Sequence, residues 1–352
     1  MLIKNSIKIL LVTFLIISCS SKEFDVLEKV EFPYNLNSEK DLEDKNVVEK
    51  IDSLYNSGIE GMFVGEADIN IYYKYFLQAN RENEKGAIVI SDGRTEAVVK
   101  YKEVIYDLFN NGYSVYIHDH RGQGLSDRMA PDHDMGYVDN FQNFVKDLNH
   151  FYNSFVKPKN HKNIYLLAHS MGGAIGVLYL EQHPNDFKAA AFSSPMLGLP
   201  FPTCFVVGIL AGDDPEYAIG MKNYEEGLES FEENTLTHSK IRYERMLKIF
   251  EDIPQARLGG ASYQWVNKSC DAFDSVFDNI SKIETPLILF SGEDEEIVAP
   301  SAHKKFVELL IENGKPAKGY FVKNAKHELF IEKDRVRVPV LSKILEFYNS
   351  IK

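Results

Sequence analysis

A serine hydroxyl at Ser170, in the run Leu166-Leu167-Ala168-His169-Ser170-Met171-Gly172-Gly173, is placed to act as a nucleophile. The residues before it, 163–167, are apolar and favour a strand, and 171–180 form a small-residue run that favours a helix. A serine on such a strand-to-helix turn projects its Oγ from the sheet edge beside a helix N-terminus. The usual spacing is Gly-x-Ser-x-Gly; here Ala168 holds the first glycine position and Gly172 the second. Its rival reading is an ordinary N-cap serine, so partners decide. A serine alkoxide is not available at neutral pH, so the chemistry requires a base. That base is usually an imidazole steadied by a carboxylate on its other nitrogen.

With the serine first, the chain order becomes serine, acid, histidine. His327 lies in Asn324–Phe330, between the last strand-like run and the last helix-like run, where a loop can present it over the sheet edge. His183, His238 and His303 precede or miss that place. The acid should follow the preceding strand-like run, 286–290, and the next loop holds four consecutive acids, 293–296. Most of these must be solvated, because adjacent like charges resist burial. Acyl transfer also produces an oxyanion that needs two N–H donors. The N–H of Met171 supplies one, and the loop 91–96 is the place for the other.

The elements that must hold these groups follow a strand–helix rhythm. Strand-like runs at 87–90, 114–118, 163–168, 188–192, 286–290 and 319–322 alternate with helical spacing at 96–110, 138–155, 174–182, 302–312 and 338–351. Tyr- and Phe-rich alternation at 69–77 suits antiparallel strands before them. The pattern predicts an α/β class with a mostly parallel central sheet and helices on both faces. Between 197 and 282 the rhythm stops, and the best periodicity, at 239–250, is helical, which predicts a helical cap over the sheet's C-terminal edge. Phe201, Phe205, Tyr217, Tyr224, Phe231, Tyr263 and Trp265 are its candidate apolar walls. The folded domain is expected over 56–352, after a polar tether at 19–55.

Residues 1–18 have the layout of an export signal: Lys4 and Lys8, then an apolar run at 9–17. Cys19 directly after Ser18 resembles a bacterial lipoprotein box, which implies cleavage before Cys19 and its lipid attachment, and so a place in the bacterial cell envelope outside the cytoplasm. A plain secretory signal or an uncleaved anchor is the alternative. The remaining cysteines, Cys204 and Cys270, fit either a disulfide or two free thiols. A net charge of −13, from 52 acidic and 39 basic residues, repels phosphate backbones and argues against nucleic-acid binding. No His/Cys cluster has metal-ligand spacing, and no cofactor motif is evident. Oligomeric state has no signature in the sequence.

Asp119-His120-Arg121-Gly122-Gln123-Gly124-Leu125-Ser126, together with Gly93-Arg94, 99–101, 167–175, 217–220, 235–239 and 327–334, resembles the bacterial lysophospholipases of the monoacylglycerol lipase and serine aminopeptidase-like α/β-hydrolase superfamily. The resemblance runs from about residue 86 to the C-terminus. It implies an α/β-hydrolase fold and hydrolysis of the single ester of a lysophospholipid, and of monoacylglycerols too. The substrate partner would be an amphiphilic single-chain lipid. The family spacing Gly-x-x-acid-x-x-Val, read from Gly292 to Val298, places the acid at Glu295, with Asp294 as the alternative. Where relatives carry His-Gly this chain has Asp92-Gly93, which assigns the second oxyanion N–H to Arg94, and its guanidinium could meet an anionic substrate group. Two other readings stay open: a carboxylesterase or peptidase on other small substrates, and an inactive surface-lipoprotein binding module.

Overall fold

The computed structural model describes residues 24–27, 34–212, 214–225 and 230–351. In chain order these form β1 (Phe24–Val26), α1 (Lys45–Ser57), β2 (Ile59–Val64), β3 (Asn70–Phe76), β4 (Gly86–Ser91), α2 (Lys102–Asn110), β5 (Tyr113–His118), α3 (Gln142–Phe151), β6 (Ile164–His169), α4 (Ser170–Gln182) and β7 (Ala189–Ser193). Three helices follow, α5 (Thr203–Leu210), α6 (Lys240–Asp252) and α7 (Tyr263–Asp278). The rhythm resumes with β8 (Leu287–Gly292), α8 (Pro300–Glu312), β9 (Ala317–Val322) and α9 (Asp334–Ser350).

The strands build one nine-stranded sheet in the order β1-β9-β8-β7-β6-β4-β5-β3-β2. It is parallel from β1 to β5; β3 runs antiparallel to β5, and β2 to β3. Every residue of β4 to β8 except the half-buried Ile164 is buried, as expected of parallel strands covered on both faces. Alternation divides them between two cores. Val89, Leu166 and Phe192 pack under α3 and α4, while Ile90, Leu167 and Ala191 pack under α2 and α9.

The polar tether expected over 19–55 is corrected by the structure where those residues are described; Cys19 and the signal segment 1–18 lie outside the described residues. β1 adds a parallel strand beside β9, with the Phe24 ring seated over Gly319, where a Cβ would stand 2.4 Å from it. Its ring centroid lies 4.6 Å from that of Phe321. Asn37 gives its N–H and its amide to the Asp107 carboxylate (3.0 and 2.8 Å), and α1 buries Ile51 and Tyr55. Few large apolar groups are needed there, because the segment is held by backbone pairing and hydrogen bonds to buried carboxylates. Composition alone could not reveal those partners.

Residues between β7 and β8 contribute α5, α6 and α7 near the C-terminal edge of the sheet, where the strands end beside the loops at 91–97 and 119–136. Gly259 N–H donates to the Asp134 carbonyl (2.7 Å), and Ser262 N–H to the Gly136 carbonyl (2.7 Å), stitching the insert to the body. A disulfide joins Cys204 of α5 to Cys270 of α7. No helix among the described residues is long and apolar enough to cross a membrane.

Candidate active site

Ser170 is the first residue of α4, directly after β6, and its φ is +49°. For a residue with a Cβ this left-handed value costs on the order of 1–3 kcal/mol and holds only where the surroundings impose it. They do so through backbone contact. A Cβ on Gly172 would stand 2.2 Å from the Ser91 carbonyl oxygen, and one on Gly173 2.5 Å from the Pro195 Cβ. Ala168, in the first glycine position, is buried beneath α4. Gly176 makes room for its methyl: a Cβ built there would lie 3.5 Å from it.

The turn after β9 brings His327 to this serine, with Nε2 2.9 Å from the Ser170 Oγ. The His327 Nδ1 lies 2.8 and 2.9 Å from the two carboxylate oxygens of Glu295, which follows β8. All three residues are buried. In this arrangement Nδ1–H donates to Glu295, and Nε2 is left to accept the serine proton. Glu295 Oε1 also accepts the N–H groups of Ile297 (2.9 Å) and Val298 (3.2 Å). Burial alone would raise the Glu295 pKa; the bonds from His327 and these two N–H groups outweigh it and hold the carboxyl at about 2. Asp294, the alternative acid, turns its half-exposed carboxylate toward His238 instead (3.8 Å). His303 is buried between the Ser291 hydroxyl (2.9 Å) and the Pro195 carbonyl (2.7 Å), away from the serine.

Above Ser170 runs the loop after β4. Gly93 lies so close that a Cβ there would be 3.2 Å from the Cβ of Ser170. Arg94 follows it, and Thr95 adopts φ +61°, a strained residue of the site besides Ser170. Met171 N–H sits in the first turn of α4, where backbone donors have no intrahelical acceptor. The sequence reading missed what holds this loop. Glu96 accepts the Gly93 N–H, and Gln123 Nε2 donates to the Gly93 carbonyl (2.7 Å) and the Glu96 carbonyl (3.2 Å). Gln123 belongs to the segment 119–126, whose other residues form the brace. The Asp119 carboxylate takes the N–H groups of Val98 and Leu125 (both 2.6 Å), and Arg121 grips Asp147 through two bonds (2.7 and 2.8 Å). The Gly-x-Gly spacing around Gln123 was the available signal: Gly124, at φ +57°, passes so close to Asp119 that a Cβ would stand 2.1 Å from its carboxyl carbon.

Behind the loop, Glu96, His169 and Glu328 converge as a buried group of metal-ligand type. The Lys100 ammonium already lies between the two carboxylates, 2.6 Å from Glu96 and in contact with Glu328, so the group is an ion-pair network. Burial raises Glu96, but the neighbouring Lys100 ammonium and the hydrogen bonds from Lys100 and Tyr101 more than compensate and hold it at about 2. Burial raises the proton affinity of Glu328. It also lowers His169 to about 4, so that ring stays neutral and donates Nδ1–H to the Ser193 carbonyl (3.0 Å).

Ser170 and His327 open into a cavity of about 340 Å³ with mainly apolar walls, among them Met196, Leu199, Trp265, Val266 and Val298. A second, more polar cavity of about 310 Å³ shares Arg94, Thr95, Met221, Leu236 and Glu328 with it. Of the aromatic residues expected to wall the site, Trp265 lines the first cavity and Tyr224 the second. Phe201 and Phe205 instead face outward, 94% and 69% exposed.

The family model described as "Serine aminopeptidase, S33" matches residues 82–334. The chain is 38% identical over 301 residues to Lysophospholipase L2 of Escherichia coli (strain K12), covering 82% of this chain and 87% of that protein. It is 32% identical over 291 residues to a Probable lysophospholipase L2 of Haemophilus influenzae, covering 81% and 90%. Among solved structures, a soluble variant of monoglyceride lipase from Saccharomyces cerevisiae in complex with a substrate analog superposes with TM-score 0.66 at 20% identity, over 92% of this chain and 99% of that one.

Proposed function

The chain belongs to the serine aminopeptidase, S33, family of hydrolases, and from that premise we propose that it is a lysophospholipase held to the bacterial cell envelope by a lipid on Cys19. It is a serine hydrolase of lipid carboxylic esters. The observation that carries the catalytic reading is the unbroken chain Ser170–His327–Glu295, set at the mouth of a cavity with apolar walls.

In the proposed reaction His327 Nε2 takes the Ser170 proton as Oγ attacks the ester carbonyl. Glu295, ionised throughout, stabilises the imidazolium that forms. The N–H groups of Met171 and Arg94 receive the oxyanion, which exists only in the tetrahedral state and so lowers the barrier selectively. His327 then returns the proton to the departing glycerol oxygen, leaving the fatty acyl group on Ser170. Water, deprotonated by the same imidazole, releases the fatty acid and restores the serine. The apolar cavity suits one acyl chain.

Anchoring is supported by two observations. The insert exposes Phe201, Phe205, Ile209 and Ile219, large apolar side chains of the kind that meet lipid. The Cys204–Cys270 disulfide suits a compartment outside the cytoplasm. Cys19 precedes the first described strand residue, Phe24, by only five positions.

The test is a panel of lysophosphatidylglycerol, lysophosphatidylethanolamine, a monoacylglycerol and an aminoacyl arylamide, with product identification, for the full chain and Ser170→Ala. Free fatty acid from the lipids is expected, and the variant should lose at least about 10⁴-fold in kcat with an unchanged Tm. Turnover retained in Ser170→Ala, or arylamide cleavage alone, would overturn the reading. Mass spectrometry of the N-terminal peptide from the membrane fraction tests the anchor: an unmodified Cys19 would remove it.

A further inference from the structure

Arg94 makes a cationic group with no counter-charge among the described residues, at the junction of the two cavities. Its Nη2 donates to the Gly259 carbonyl (2.5 Å), and the guanidinium carbon stands 5.1 Å from the Trp265 ring centroid. Gly136 lets the group in: a Cβ there would be 2.5 Å from Nη2. The Arg94 Nε is buried with no hydrogen-bond partner, and no carboxylate among the described residues pairs with this side chain. The other cations lining the second cavity are differently placed. Lys100 is taken by Glu96 and Glu328, Lys222 by Glu225, and Arg257 stacks on the Tyr224 ring (4.9 Å).

A cation held rigid and desolvated without an anion is costly, and the cost is offset when a ligand brings the anion. A guanidinium presents its N–H groups in a planar fork that matches phosphate oxygens. The position is also right for a lysophospholipid. The acyl chain would fill the apolar cavity, the ester would lie at Ser170, and the glycerol would carry its phosphate toward the second cavity, which Arg94 borders. We infer that the Arg94 side chain is a specificity residue that binds the phosphodiester of the substrate, separating phosphate-bearing single-chain lipids from neutral monoacylglycerols. This rests on the lipid-esterase reading above. It also gives the residue two separate duties, its backbone N–H toward the oxyanion and its guanidinium toward the head group.

The experiment compares kcat/KM on 1-palmitoyl-lysophosphatidylglycerol and on 1-palmitoylglycerol for the full chain, Arg94→Met and Arg94→Lys. The ratio of the two should fall about 10- to 100-fold in Arg94→Met, mostly through KM, with partial recovery in Arg94→Lys. An arginine that merely pins the insert to the body would lower both substrates alike. An unchanged ratio, whether both rates fall or neither does, overturns the inference. Wild-type protein gives a second readout free of folding effects. Glycerophosphoglycerol should compete with a soluble short-chain ester while glycerol does not, and no competition also overturns it. Failure of the underlying reading looks different, because then neither lipid is cleaved by the wild type.

Discussion

The two walls of the cleft are built on different principles. On the sheet side, the Ser170 site is fixed by hydrogen bonds from buried neighbours and by close backbone packing: Glu295 by two backbone N–H groups, the 91–97 loop by Gln123 and Glu96, and Ser170 by the close approach of the α4 glycines to neighbouring residues. On the insert side, α5 has a single buried residue, Val207, and exposes Phe205 and Ile209. Its tie to α7 is covalent. The difference separates two jobs. A geometry that must be right to a fraction of an ångström is held by polar bonds, whereas α5, on the wall that greets a flexible lipid, is held by apolar contact and one cross-link.

Glu295→Gln strikes the sheet wall hardest. The amide keeps the shape but cannot stabilise an imidazolium, so kcat should fall about 10³- to 10⁴-fold. Stability offers an independent check with a definite sign. The folded carboxyl sits at about 2 against an ordinary 4.5, so its contribution is complete above pH 4.5 and disappears as pH falls toward 2. Urea unfolding should therefore show the wild type losing more stability than Glu295→Gln across that window. Equal acid sensitivity of the two proteins would remove Glu295 from its buried pairing.

Gln123→Ala loosens the same wall one step further out. The side chain reaches only the Gly93 and Glu96 carbonyls, so its loss leaves the triad bonds intact and frees the loop that carries Arg94. A drop of about 10- to 100-fold in kcat is expected, in line with the loss of outer groups that orient a site, with a smaller change in KM. A fluorophosphonate should still label Ser170, only more slowly. If labelling and kcat are both unaffected, the loop is positioned by Glu96 alone.

How legible each wall was follows from the same contrast. The sheet wall repeats local patterns: the strand-to-helix run at 163–180 and the loop histidine at 327 could be read directly, and family spacing placed the acid at 295. Its brace was hidden, because Gln123, Glu96 and Lys100 act across distances in sequence that no periodicity encodes. The insert was recognisable as helical only through α6. α5 is a short helix, apolar after Thr203, and resembles a buried strand in sequence, while α7 owes its start to the Ser262 cap, whose hydroxyl accepts the Trp265 N–H (3.1 Å). The segment before residue 56 was misread for another reason. Asn37 in particular is not left to solvent but spent on Asp107, Arg242 and Arg337, its carbonyl taking both guanidinium groups (3.3 and 3.2 Å).

Cys204→Ser probes the insert wall and should move activity least. The cross-link spans 66 residues of sequence, which in a chain-entropy picture corresponds to about 4 kcal/mol at most. Because its partners are α5 and α7 and not the triad, the loss should fall on the insert. Tm is expected to drop by roughly 3–8 °C, and protease should cut first within 203–210, where the helix has little buried surface. Turnover of a soluble short-chain ester at 25 °C should stay within about tenfold of wild type, since local opening of a weakly packed element leaves the rest folded. Lysophospholipid turnover should suffer more, because the acyl cavity takes Thr203, Trp265 and Val266 from these helices. Dithiothreitol should reproduce the effect on the wild type and add nothing to the variant. If short-ester turnover instead collapses together with Tm, the two walls form one cooperative unit, and the separation of duties argued from their bonding fails.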